Sequence, residues 1–208
     1  MSTPAITFCE PPYVVTQRIA EFSNTVSSIS YIVAGVLYSI YKIPSYKSIR
    51  KIMIAINMCI VGLGSMAFHA SPSFETELSD ETPMVSLMIL ILYDQLLEHP
   101  RVSQENTYRV VYSVTGVSGI FISYYVCTRQ YALFLYTFSA IVAMNLLIYA
   151  HSCLYFPERR RKLLVGIPAF TASRIVWHIE QDLTESLYCY WLHACWHVLS
   201  AYCLYLFL

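Results

Sequence analysis

The chain has 208 residues, of which 57% are hydrophobic and 12% charged, against about 25% charged in an ordinary soluble domain. Thirteen basic residues balance thirteen acidic ones, so the basic excess that nucleic-acid binding requires is missing. A mean hydropathy of +0.52 excludes a soluble domain and points to an all-α integral membrane protein.

Residues 1–16 carry no Lys or Arg and no long apolar run. That argues against a cleaved signal peptide, so the first hydrophobic span is expected to act as its own targeting signal. A bilayer-spanning helix needs about 20 mostly apolar residues. Seven candidate spans follow in order: residues 22–41, 52–69, 83–97 (a short one), 110–127, 131–150, 163–179 and 191–208. The loops are short and no internal repeat stands out. The expectation is one seven-transmembrane-helix bundle over 1–208, with 1–21 as an N-terminal segment outside the membrane.

Loop charge sets the orientation. Lys42, Lys47, Arg50 and Lys51 fall between spans one and two. Arg101 and Arg109 fall between three and four. Arg159, Arg160, Arg161 and Lys162 fall between five and six. With seven spans these loops share a side, which is therefore cytosolic. The N-terminus is then lumenal or extracellular and the C-terminus cytosolic. The acidic loop from Glu180 to Glu185 falls outside, as this orientation requires.

The same topology collects chemistry in one layer. His69 ends the second span, Asp80 and Glu81 open the third, and His193 and His197 open the seventh. Glu10 and Glu21 precede the first span on that side. His193 and His197 are four apart and so share a helix face. A lone histidine in a membrane helix more often bridges neighbours than binds a metal. A pair of this spacing with a third histidine at equal depth reads instead as three zinc ligands, leaving the fourth position for water as in catalytic sites. Ser65, four before His69, is a candidate oxyanion donor. Asp80 is a candidate general acid/base; alone it would be an ordinary helix N-cap.

Other polar groups fit blander roles. Arg174, His178 and Glu180 read as a hydrogen-bonded structural cluster, with His178 the one rival ligand. His99 and His151 fall on the cytosolic side. Asp94 lies close enough to that side to snorkel, and Asn145 reads as helix glue. Trp191 and Trp196 read as interfacial anchors. Cys59, Cys127, Cys195 and Cys203 lie in apolar runs and read as inert. No Cys-x-x-Cys pair exists for a thiolate zinc site.

Several blocks resemble the alkaline ceramidases. They are Phe8-Cys9-Glu10, the run from Ala20 to Ser27, the run from Gly62 to His69, the run from Asp80 to Met84, and the run from Leu192 to His197. Each is weak alone, but together they span most of the chain in the family's order. The resemblance implies a hydrolase of the ceramide amide bond, seated in the endoplasmic reticulum or Golgi membrane. It implies zinc on His69, His193 and His197, with Ser65 and Asp80 as catalytic helpers. It also implies a calcium ion near the N-terminal segment, with Glu10 and Glu21 among its ligands. Thr7, Phe8 and Pro12 depart from the family there. Cys9 matches a family cysteine, but Thr184 stands where its partner is expected, and Cys189 follows a few residues later. A related lipid hydrolase, resembling the enzymes that remodel glycolipid anchors, is one alternative. A seven-helix lipid receptor resembling the progestin/adipoQ group, with a structural zinc, is another. A transporter is disfavoured by the absence of inverted repeats.

Overall fold

The structure is a computed structural model, and residues 2–43, 48–183 and 189–208 are described. Lys47, Thr184 and Glu185 lie outside the described residues. The helices are α1 (Phe22–Ser27), α2 (Ile29–Tyr41), α3 (Ile49–Ala70), α4 (Phe74–Glu98), α5 (Gln104–Thr128), α6 (Tyr131–Ser152), α7 (Pro157–Asp182) and α8 (Leu192–Phe207). The seven-helix count holds if α1 and α2 form one element broken at Ser28. The break has a local cause. Thr25 Oγ1 donates to the Glu21 carbonyl, and both Ser27 Oγ and Ser28 Oγ donate to that of Asn24. Hydroxyls bonded back to preceding carbonyls bend helices.

Helices α3, α5 and α6 are long and apolar enough to cross a membrane. Their outward residues, such as Ile56, Leu63, Ile120 and Leu147, are exposed apolar side chains. In a chain this hydrophobic such a surface faces lipid, and the molecule is a membrane protein. Helices α4 and α7 have 25 and 26 residues, and charged side chains interrupt their apolar runs.

The third span is longer than its hydropathy indicates. Helix α4 starts at Phe74, where Ser73 and Thr76 form a capping box. Asp80 and Glu81 therefore lie well inside the helix rather than at its opening. The first turns look polar in sequence because they carry Glu75, Glu77, Asp80 and Glu81. Yet Glu77 is fully buried, accepting from the Ala5 N–H at 2.6 Å and from the Tyr125 hydroxyl at 3.0 Å.

Helix α3 packs between α2 and α4, and α7 lies along α8. The bundle closes through contacts of α2 with α8, α4 with α6, and α6 with α7; α5 lies against α4 and α6. One contact sets the geometry of the site. Pro83 has no N–H to offer the Ser79 carbonyl four residues back. That carbonyl faces α3 at Gly64, where a Cβ would lie 2.0 Å from the Ser79 oxygen. Only glycine admits so close an approach, which sets Ser65 of α3 beside Asp80 of α4.

At the opposite end, Asp94 accepts from Arg50 at 2.9 Å and from Lys51 at 3.0 Å. Glu98 accepts from Lys51 and from Arg159, each at 2.7 Å. Asp94 is thus held in ion pairs that join α3 to α4 rather than extended alone toward water. Asn145 Nδ2 donates to the Met88 carbonyl at 3.0 Å, joining α6 to α4.

Candidate metal centre

The last turn of α3 carries His69, and the first turns of α8 carry His193 and His197. All three are buried, and one potential ligand atom from each lies within 4.8 Å of the others. Each ring is held from behind. His69 Nδ1 is 2.6 Å from Glu21 Oε2, His193 Nδ1 is 2.8 Å from Glu180 Oε2, and His197 Nδ1 is 2.8 Å from Ser27 Oγ. The Ser27 hydroxyl already donates to the Asn24 carbonyl, so it accepts from the imidazole. With Nδ1 carrying the proton in each case, the three Nε2 lone pairs are left for a ligand. His69 Nε2 is buried and, among the described residues, has no hydrogen-bond partner. A buried acceptor of this kind is costly unless something binds it. This donor set fits a divalent metal that favours imidazole.

Ser65 Oγ lies 3.4 Å from His197 Nε2 and 3.0 Å from Ser28 Oγ, and Asp80 lines the pocket beside His193. The layer expected from loop charges therefore does bring His69, His193, His197, Ser65 and Asp80 together. Several other residues take different places. His178 is exposed and stands outside the converging trio. The expected Arg174–His178–Glu180 cluster does not form among the described residues. Glu180 serves His193 and the Cys9 N–H, while the Arg174 guanidinium lies over the Trp177 ring at 4.8 Å. Trp196 stacks on His193 at 5.1 Å and lines the adjoining pocket; Trp191 is exposed. His99 Nε2 and His151 Nδ1 are 2.8 Å apart at the far end of the bundle.

The N-terminal segment covers the centre. The Glu21 and Ala20 N–H groups donate to the His69 and Ala70 carbonyls at 2.9 and 3.0 Å. The Phe8 ring lies 3.8 Å from that of His193, and a Cys9–Cys189 disulfide ties the segment to the start of α8. Both Glu10 oxygens accept from backbone, Ser23 N–H at 2.7 Å and Asn24 N–H at 2.8 Å. Glu21 Oε2 is shared between His69 and Asn24 Nδ2. Glu10 thus caps α1 and Glu21 orients a histidine.

A small pocket of about 40 Å³ opens beside the trio, with Asp80, Glu81, His193 and Arg174 on its walls. It shares Met84, Phe138, Arg174 and Trp196 with an apolar cavity of about 350 Å³ reaching among α2, α3, α4, α6, α7 and α8. Sequence spacing carries no signal for this cavity, because its lining comes from six helices.

The ceramidase family model matches residues 1–208. The chain belongs to the ceramidase family. Alkaline ceramidase 3 of Mus musculus is 25% identical to it over 213 residues, covering 96% of this chain and 79% of that protein. A putative alkaline ceramidase of Dictyostelium discoideum is 26% identical over 231 residues, covering 94% and 81%. An alkaline ceramidase of Saccharomyces cerevisiae is 34% identical over 99 residues, covering 47% and 31%. Membership makes this ceramidase-family chain a hydrolase acting on an amide bond.

Proposed function

We propose that this ceramidase-family protein hydrolyses the amide bond of ceramide to a sphingoid base and a free fatty acid, with zinc held by His69, His193 and His197. One observation carries the reading: three buried imidazoles converge, each oriented through Nδ1, and the buried Nε2 of His69 has no partner among the described residues. When bound, zinc supplies a water acidified toward neutrality. Asp80 then takes the proton of the attacking water and returns it to the leaving nitrogen. Ser65 donates to the carbonyl oxygen as negative charge develops there. The apolar cavity holds a hydrocarbon chain, and the small pocket places the polar linkage beside Asp80. Phe8 and Trp196 pack on His193 and keep bulk water from it.

The calcium ion implied by the resemblance fits poorly, since calcium takes six to eight oxygen ligands. Here both Glu10 oxygens are bonded to backbone N–H groups, and Glu21 Oε2 is bonded to His69 and Asn24. No step is therefore assigned to calcium. The lumenal or extracellular placement of the site is supported by the Cys9–Cys189 disulfide, because disulfides persist on oxidising sides of membranes. Residence in the endoplasmic reticulum or Golgi is proposed on the family likeness.

The test pairs metal analysis with release of fatty acid from ceramide by the purified protein. His197→Ala is expected to lose both metal and activity. Asp80→Asn should keep the metal and lose about 10²–10⁴-fold in kcat. Ser65→Ala should keep the metal and lose about 10²–10³-fold. Wild-type protein that retains full activity after its metal is stripped would refute the proposal.

A further inference from the structure

Arg174 is set deep in α7, six residues before Glu180, or about 9 Å along a helix axis. Its guanidinium packs over Trp177 at 4.8 Å and, among the described residues, has no hydrogen bond and no carboxylate at ion-pair distance. Elsewhere Arg50, Arg109 and Arg159 each meet a carboxylate. A guanidinium stays charged and offers five N–H donors in a planar fork. At membrane depth such a charge is costly and is retained where it binds something. The face of one tryptophan offsets only part of that cost.

Its position narrows what it binds. Arg174 lines both the pocket that contains Asp80 and His193 and the apolar cavity beyond it. Among the described residues no other Lys or Arg lines either wall. Glu81 shares the pocket, but among the described residues its two buried oxygens have no hydrogen bond and no ion pair with Arg174, so it does not neutralise the guanidinium. An arginine fork at the head of an apolar cavity matches an anionic head on a long hydrocarbon tail. Hydrolysis of an amide creates such a molecule: the neutral acyl group leaves as a carboxylate.

We propose that Arg174 is a carboxylate-binding subsite that holds the head group of a long-chain fatty acid whose tail lies in the apolar cavity. That this acid is the reaction product rests on the ceramide reading; the subsite itself does not. Arg174 grips two carboxylate oxygens at once, as guanidinium forks do.

The experiment measures binding rather than turnover. Palmitate and hexadecanol, equal in chain length, compete with labelled palmitate on the metal-loaded protein in nanodiscs. Wild type is expected to prefer palmitate by about tenfold, the scale of one charge-assisted hydrogen-bonded contact. Arg174→Gln should bind both about equally. Arg174→Lys, the variant least prone to misfold, keeps the charge but loses the fork and should show a several-fold smaller preference than wild type. Equal binding of acid and alcohol by wild type overturns the subsite. So does an unchanged preference in either variant, which would place the carboxylate on the metal instead. Protein that prefers palmitate through Arg174 but leaves ceramide intact keeps the subsite and loses the substrate assignment. Ceramide cleavage without any such preference does the reverse.

Discussion

At the residue scale, Glu21 and Glu180 do as much to define the centre as the histidines they hold. Each carboxylate accepts from Nδ1 and leaves Nε2 free for a ligand. Removing such an outer partner commonly lowers metal affinity about 10–100-fold. Glu180→Gln and Glu21→Gln are each expected to fall in that range in a chelator-competition titration, with Ser27→Ala falling less because a neutral acceptor orients the ring more weakly. Unchanged affinity in both glutamine variants would mean that the carboxylates do not orient the rings. The trio itself was legible in the sequence, because a four-residue spacing fixes a helix face and loop charge fixes depth. The carboxylates behind it were not. Glu180 lies thirteen residues before His193, across a loop, and no periodicity pairs positions on separate helices. Topology placed Glu21 in the same layer, but its role was not legible, and the resemblance gave it to calcium. Trp196 shows the same limit: an aromatic residue near a helix end has the composition of an anchor whether it faces lipid or a pocket.

At the element scale, the site depends on how closely α3 and α4 approach. Gly64→Ala places a methyl group 2.0 Å from a backbone oxygen that cannot rotate away. The helices must separate, at a cost of about 1–3 kcal/mol. Because Ser65 and Asp80 flank that contact, activity is expected to fall more than stability does. Gly116 on α5 is the control, since nothing lies within 4 Å of the Cβ it would gain. Gly116→Ala should be neutral or stabilise by up to about 1 kcal/mol through helix propensity. Thermal melts and ceramide turnover of the two variants check both statements. Among the described residues the helices follow the seven expected spans, but those of the third, fourth and sixth begin earlier than hydropathy places them, the third because hydropathy counts Glu77 as a polar residue. Folded, Glu77 is buried against Ala5 and Tyr125, contacts made by a distant segment and a distant helix. The Ser28 break was likewise hidden, since hydroxyls that bond backward and hydroxyls that face a neighbouring helix look alike in sequence.

At the scale of the whole molecule, the disulfide and the loop charges point the same way. The Cys9–Cys189 bridge joins positions 180 residues apart. In free solution closing so long a loop would stabilise by roughly 5 kcal/mol on the chain-entropy model. Helices already inserted in a bilayer have lost much of that freedom, so the global gain is smaller here. What the bridge holds locally is Phe8 over His193 and the Cys9 N–H on Glu180. Cys9→Ser is therefore expected to speed metal loss and lower activity while leaving helical content unchanged, read by chelator kinetics beside circular dichroism. The bridge persists on an oxidising face, whereas Arg50 and Lys51, in the first turn of α3, lie at the other end of the bundle, where the positive-inside rule expects the cytosol. An engineered Asn-x-Ser acceptor, which is glycosylated only on the lumenal side, decides between the two orientations. Placed ahead of residue 2 on a short polar linker it should be modified. Placed in the loop between α2 and α3 it should not. The reverse pattern would put the metal centre on the reducing side, where the Cys9–Cys189 bridge would not survive.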